Sequence, residues 1–132
     1  MDPLLSEYGA DKVQAIQADL TSESDTVGLF TQATTSFGPV HIIIVNHAVY
    51  VAEDRPLVEM SLEQWRSTMD INLTSSFLVT REYLRGLREA PENVKDHASI
   101  VFIGSSAGKF GELAPPCSLI GNFLKSGILN PR

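Results

Sequence analysis

The chain has 132 residues and a formal net charge of −6 at pH 7, and its length allows one domain or part of one. Because no basic cluster offsets this charge, a nucleic-acid partner is not expected. The first residues are acidic and apolar runs such as 42–45 are too short to cross a bilayer, so we expect a cytoplasmic protein without a membrane partner. One cysteine and three scattered histidines give no metal-ligand spacing.

The first half of the chain predicts a strand, a helix and a second strand. Residues 13–18 alternate weakly between apolar and polar side chains, as a short strand does. Ser22 and Asp25 have the spacing of a capping box, so a helix should begin there and end at Gly38-Pro39. The β-branched run His41–Val45 is typical of a strand of a parallel sheet that is buried on both faces.

The second half predicts a long helix and a third strand. A loop over 50–56 precedes a second capping box over 61–64, and an apolar stripe continues the helical pattern to Arg85. The polar segment 86–97 should be a surface connection, and it leads into a strand over 100–103.

Strands and helices therefore alternate along the chain. This order predicts an α/β fold with parallel β-α-β crossovers, namely a doubly wound sheet of which about three strands are present. Ligands of such sheets bind at the carboxyl ends of the strands. Polar residues stand at all three ends: Asp19 after the first strand, Asn46-His47-Ala48 after the second, and Ser105-Ser106 after the third.

The stretch Gly104–Gly108, GSSAG, has three interpretations as an active-site turn and one as a structural turn. A hydrolase turn around Ser106 needs a later acid and then a histidine, but the chain beyond it offers Glu112 and no histidine. A phosphate loop is excluded because three residues separate the glycines where four are required, and Phe110 follows the lysine. Two interpretations remain: a carbonyl-binding Ser105, or a strand-end turn made of small polar residues.

Four motifs in chain order resemble those of the short-chain dehydrogenase/reductase family: Asp19-Leu20, Asn46–Val49, Met69–Leu73 and the turn at Ser105. The likeness covers residues 10–112 and implies a partial Rossmann-like fold, NAD or NADP as cofactor, and a small-molecule carbonyl or alcohol as substrate. The implied cofactor contacts are Asp19, Leu20, Asn46, His47 and Ala48, and the implied catalytic residues are Asn72 and Ser105.

Two sequence motifs of that family have no counterpart in this sequence. The Thr-Gly-x-x-x-Gly-x-Gly turn that seats the cofactor pyrophosphate is absent, and the positions expected for Tyr-x-x-x-Lys hold Ser118 and Asn122, with Lys125 out of register. The resemblance thus implies a partial NAD(P)-binding domain over 1–112, truncated at both ends and catalytically impaired. The tail over 113–132 diverges from the family pattern, as an altered reading frame or a retained intron would make it.

Each of these residues also has a purely structural interpretation. Asp19 could cap a turn, Asn46 could satisfy strand-end backbone groups, and His47 could be a hydrogen-bonded structural histidine. The amide of Asn72 could bond neighbouring backbone inside the helix. Three classes of function follow: an oxidoreductase, a product without function, or a non-catalytic subunit that pairs through helix 61–85 with a complete homologue or another copy.

Overall fold

The computed structural model describes residues 3–49, 57–104 and 127–129. Its elements, in chain order, are α1 (Pro3–Tyr8), α2 (Glu23–Phe37), β1 (Ile42–Val45), a 3-10 turn (Leu57–Glu59), α3 (Leu62–Met69), a π turn (Asp70–Thr74), α4 (Ser75–Glu89), α5 (Glu92–Lys95), β2 (Ser99–Phe102) and β3 (Gly127–Leu129). None of the helices in this part of the chain has both the length and the hydropathy that a bilayer crossing requires.

The sheet has the order β1-β2-β3. Strands β1 and β2 are parallel, with Ile42 opposite Ser99 and Val45 opposite Phe102. Strand β3 adds to the other side of β2 in the antiparallel direction. The long helical connection between β1 and β2 makes them a parallel crossover pair, so the predicted partial Rossmann-like α/β core is confirmed.

The predicted first strand is wrong. Residues 13–18 form no strand, and they follow a turn in which the amides of Lys12 and Val13 both donate to the carbonyl of Gly9. An alternation of apolar and polar residues indicates which side chains share a face. A strand also needs a neighbouring strand for its backbone hydrogen bonds, and the pattern does not predict one. The third strand of the described sheet comes instead from Gly127–Leu129, where no strand was predicted.

Helix α2 begins and ends as the sequence predicts. Ser22 is its N-cap, and the Ser22 hydroxyl accepts a hydrogen bond from the amide of Asp25 at 3.3 Å. At the other end, the amide of Gly38 donates to the carbonyl of Thr34 at 2.9 Å. Gly38 has φ of 80°, a left-handed conformation that glycine adopts without steric cost, and this ends the helix.

The long helix also begins as predicted but extends further. Ser61 caps α3, accepting from the amide of Gln64 at 3.1 Å, and helical backbone continues through the π turn into α4. It ends at Glu89 rather than at Arg85, because Ala90 turns extended before Pro91. Of the predicted surface connection 86–97, residues 86–89 therefore belong to α4 and residues 92–95 form α5.

The core lies between one face of the sheet and the helices. Its buried residues are Ile43, Val45, Val79, Tyr83, Leu87, Val94, Ala98 and Ile100. The opposite face of β1 is open, with Ile42 56% and Ile44 64% exposed, so the predicted burial of this strand on both faces is not seen. In the described part of the chain the sheet is thus covered on one face of β1 only.

Candidate functional site

The described part of the predicted site is a junction between the segment after β1 and the π turn. Residues 46–49 leave the carboxyl end of β1, and Asp70–Thr74 widens the long helix by one residue per turn at this level. Two side-chain contacts join the segment to the helix: Asn72 bonds Val49, and His47 bonds Ser75. The junction lies where ligands of doubly wound sheets bind, at a strand's carboxyl end.

Asn72 is buried and its side-chain amide makes three hydrogen bonds. The Oδ1 atom accepts from the amide of Val49 at 2.9 Å, while Nδ2 donates to the carbonyls of Val49 at 3.2 Å and Thr68 at 3.1 Å. Both amide hydrogens are used, which offsets the cost of burying this polar group in mid-helix. The interpretation that Asn72 bonds neighbouring backbone is confirmed, whereas its catalytic role stays a prediction.

Ser75 completes the π turn. Its amide donates to the carbonyl of Asp70, five residues back, instead of to that of Ile71 as in an α-helix. The Ser75 hydroxyl then donates to the carbonyl of Ile71 at 2.5 Å. The hydroxyl hydrogen of Ser75 is therefore used within the helix.

His47 contacts the same hydroxyl. Its Nε2 lies 2.6 Å from Ser75 Oγ, and the ring is half-buried. A hydroxyl has one hydrogen, which Ser75 gives to Ile71, so the histidine nitrogen must be the donor in this pair. The structural interpretation of His47 is confirmed, and its cofactor contact stays a prediction.

The other two predicted residues of this segment face outward. The side chains of Asn46 and Ala48 are exposed, and they alternate with His47, whose ring turns toward the helix. This is the orientation that a cofactor contact would require of Asn46 and Ala48.

Asp19 lies in a turn before α2, not at a strand end. Its Oδ1 accepts from the amide of Thr21 at 2.9 Å and from the Thr21 hydroxyl at 2.7 Å. These bonds, the side-chain bond first, lower the pKa of the exposed Asp19 carboxyl, which is therefore ionised at neutral pH. Leu20 is half-buried and packs against the core. The turn-capping interpretation is confirmed, and the adenine contact of Asp19-Leu20 stays a prediction.

Ser105, the predicted carbonyl-binding residue, lies outside the described residues, as do Ser118, Asn122 and Lys125. Two residues that the sequence reasoning did not single out belong to the junction: Ser75, and Ser76, whose hydroxyl donates to the carbonyl of Asn72 at 2.8 Å. The signal was available, because two consecutive serines interrupt the apolar stripe of the helix.

A dinucleotide fits the described residues at one end only. An ionised, exposed carboxylate at Asp19 suits the amino group of an adenine. The pyrophosphate needs a glycine turn at a helix N-terminus, but the glycines with positive φ in the described ranges, Gly9 and Gly38, both follow helices. Within the same ranges no three His, Cys, Asp or Glu side chains are grouped as metal ligands.

Comparisons with known proteins agree with this geometry. The family model for short chain dehydrogenases matches residues 2–116. An uncharacterized oxidoreductase of Bacillus subtilis is 31% identical over 98 residues, which are 74% of this chain and 13% of that protein. A 3beta-hydroxysteroid dehydrogenase of Eggerthella lenta is 32% identical over 107 residues, which are 81% of this chain and 40% of the relative.

The fold has a counterpart among solved structures. The crystal structure of sorbitol-6-phosphate 2-dehydrogenase from Erwinia amylovora matches with a TM-score of 0.77 at 24% identity, over 92% of this chain and 45% of that one. The chain thus spans less than half the length of these three proteins. The extent of the family match identifies the chain, with its partial Rossmann-like core, as a member of the short chain dehydrogenase family of oxidoreductases.

Proposed function

We propose that the chain forms the cofactor side of an NAD- or NADP-dependent oxidoreductase acting on a small-molecule carbonyl or alcohol, in the cytoplasm, and that by itself it is catalytically impaired. The observation that carries the proposal is the junction at the carboxyl end of β1, where Asn72 and Ser75 hold residues 46–49 and leave Asn46 and Ala48 exposed. The dehydrogenase and oxidoreductase names of the relatives support the class of reaction.

The impairment follows from chemistry that the sequence lacks. A bound NAD(P)H would supply the hydride, but the proton requires an acid at the substrate oxygen, and the family's tyrosine and lysine positions hold Ser118 and Asn122. Positioned acid–base catalysis contributes roughly 10² to 10⁴ in rate, and an unactivated serine hydroxyl does not replace it. These 132 residues also contain no Thr-Gly-x-x-x-Gly-x-Gly turn, so we expect them to bind the cofactor pyrophosphate weakly.

Calorimetric titration of the 132-residue chain with NADH and NADPH tests the binding half of the proposal. We expect weak saturable heat that Ala48→Glu reduces by about ten-fold in affinity, because a carboxylate beside the dinucleotide repels its phosphates. Ala10→Glu, on an exposed turn, is the matched control. Absence of heat with both cofactors contradicts the proposal, and steady NADPH consumption with a ketone contradicts the impairment.

A second function, a non-catalytic subunit, is favoured by the outward side of the long helix. Phe77 and Leu84 are exposed there and line a groove of about 590 Å³ that continues to Phe102. We propose that this surface pairs with a complete homologue or a second copy. Phe77→Glu should abolish co-purification with such a homologue, while Val58→Glu, exposed on the 3-10 turn, should not. Equal recovery with both variants contradicts the pairing.

A further inference from the structure

The tie between His47 and the helix goes through the hydroxyl of Ser75. This hydroxyl gives its hydrogen to the carbonyl of Ile71, four residues back, as the hydroxyl of Thr68 does to Gln64 in α3. The lone pairs of that hydroxyl then point to other donors, and Ser75 is only 1% exposed, so water has little access to it. The buried oxygen of Ser75 therefore needs a donor from the protein. The Nε2–H of His47 is that donor, with Nε2 2.6 Å from Ser75 Oγ.

A second anchor lies two residues further along the same segment. Val49 gives its amide to Asn72 and accepts from the same side chain through its carbonyl. His47 and Val49 are therefore both held by the helix, one through its ring and one through its backbone. His47 is half-buried between two exposed neighbours, so fixing its ring on the helix keeps Asn46 and Ala48 exposed.

We propose that His47 is a positioning residue for a dinucleotide: its Nε2–H bond to Ser75 holds segment 46–49 so that Asn46 and Ala48 face the ligand, and the ring itself makes no ligand contact. The inference rests on the proposed function and deepens it, since it names the side chain that orients the binding segment. It also separates His47 from the cofactor contacts that the family resemblance implies for this stretch.

Two variants isolate the donor. His47→Gln keeps a side-chain N–H at nearly the reach of Nε2, and His47→Leu keeps the bulk without any donor. Ser75→Ala removes the acceptor and gives the same comparison from the helix side. All three are made in the 132-residue chain, and circular dichroism checks that each is folded.

The first readout needs no cofactor. In ¹H–¹⁵N spectra of the imidazole, we expect the His47 proton on Nε2, and we expect its signal to change in Ser75→Ala. Hydrogen exchange of the Val49 amide should become about ten-fold faster in His47→Leu and Ser75→Ala, because one buried hydrogen bond is lost, and return to within about three-fold of wild type in His47→Gln. An Nε2 without a proton, or unchanged exchange in both donor- and acceptor-deletion variants, overturns the proposal.

The second readout is the affinity for NADH. We expect it to fall about ten-fold in His47→Leu and to be restored in His47→Gln, with the Ala10→Glu control unchanged. Unchanged affinity in a His47→Leu chain whose Val49 amide exchanges faster overturns the positioning role. Absence of binding by the wild-type chain overturns the proposed function and the ligand named here, whereas the exchange result then still decides whether the tie exists.

Discussion

At the scale of single residues, Tyr83 combines burial, a hydrogen bond and a shifted pKa. It is 2% exposed in the core, and its hydroxyl donates to the carbonyl of His41 at 2.5 Å, joining α4 to the start of β1. Burial raises the pKa of Tyr83 above its ordinary value of 10.0, and the backbone of Ser99 partly opposes the shift. The folded chain therefore favours the neutral phenol.

We expect Tyr83→Phe to lower the free energy of unfolding by about 1 kcal/mol at neutral pH, since the carbonyl of His41 still accepts from the amide of Ser99. Because the folded pKa is raised, the wild type should keep the stabilisation from the neutral phenol below pH 10 and lose it as the pH rises through the folded pKa. Urea unfolding from neutral to alkaline pH measures both effects. Tyr8→Phe, at an exposed position, is the control; an alkaline slope equal to wild type in Tyr83→Phe contradicts the assignment.

The sequence identified Asn72 and His47, and the structure places both in one junction. Their partners could not be predicted as readily. Asn72 bonds Val49, 23 residues away, and His47 bonds Ser75, 28 residues away, so the pairs exist only once β1 lies against the helix. The π turn at Asp70–Thr74 was not predicted either, because its first and last residues have ordinary helical dihedral angles and no glycine or proline marks it.

At the scale of elements, helix starts depend on local hydrogen bonds. Ser61 gives α3 its N-cap by accepting from the amide of Gln64, one of the first amides without an intrahelical partner. We expect Ser61→Ala to lower the free energy of unfolding by about 1 kcal/mol. Ser67→Ala, at an exposed position inside α3, should be neutral or slightly stabilising because alanine is the better helix former. Equal effects of the two substitutions in urea unfolding would show that the cap does not act.

The same locality explains which elements were predictable. Both capped helix starts were predicted from a serine and the residue three positions on, whereas the end of α4 was not, because Gly86 stays helical and the chain turns only at Ala90. Strands depend on distant partners. The run 42–45 formed a strand beside β2, but 13–18 found no neighbour among the described residues, and Gly127–Leu129 paired without a predictive pattern.

At the scale of the whole molecule, the described helices cover one face of β1. The helices cover Ile43 and Val45, while Ile42 and Ile44 remain exposed on the other face of β1. Doubly wound sheets of this family carry helices on both faces, and the chain matches only 45% of the solved relative. The described part of the chain therefore presents apolar surface on the face of β1 that holds Ile42 and Ile44.

The edge of β1 adds hydrogen-bonding capacity to that surface. The carbonyls of His41 and Val45 face β2, so by strand alternation the backbone groups of Ile42 and Ile44 point away from it, and within the described sheet β1 pairs with β2 alone. An uncharged, apolar edge strand is a template for association with other chains.

We expect the 132-residue chain to self-associate as its concentration rises, and Ile44→Lys to raise the onset concentration by about ten-fold, since burial of one isoleucine is worth roughly 1.5–3 kcal/mol and an edge lysine opposes pairing. Val58→Lys, a highly exposed position on the 3-10 turn, adds the same charge away from the sheet and serves as the control. Sedimentation velocity across a concentration series measures the onset. If both lysines shift it equally, net charge governs association and β1 is not the contact; if only Ile44→Lys shifts it, the open face of β1 is where the copies meet.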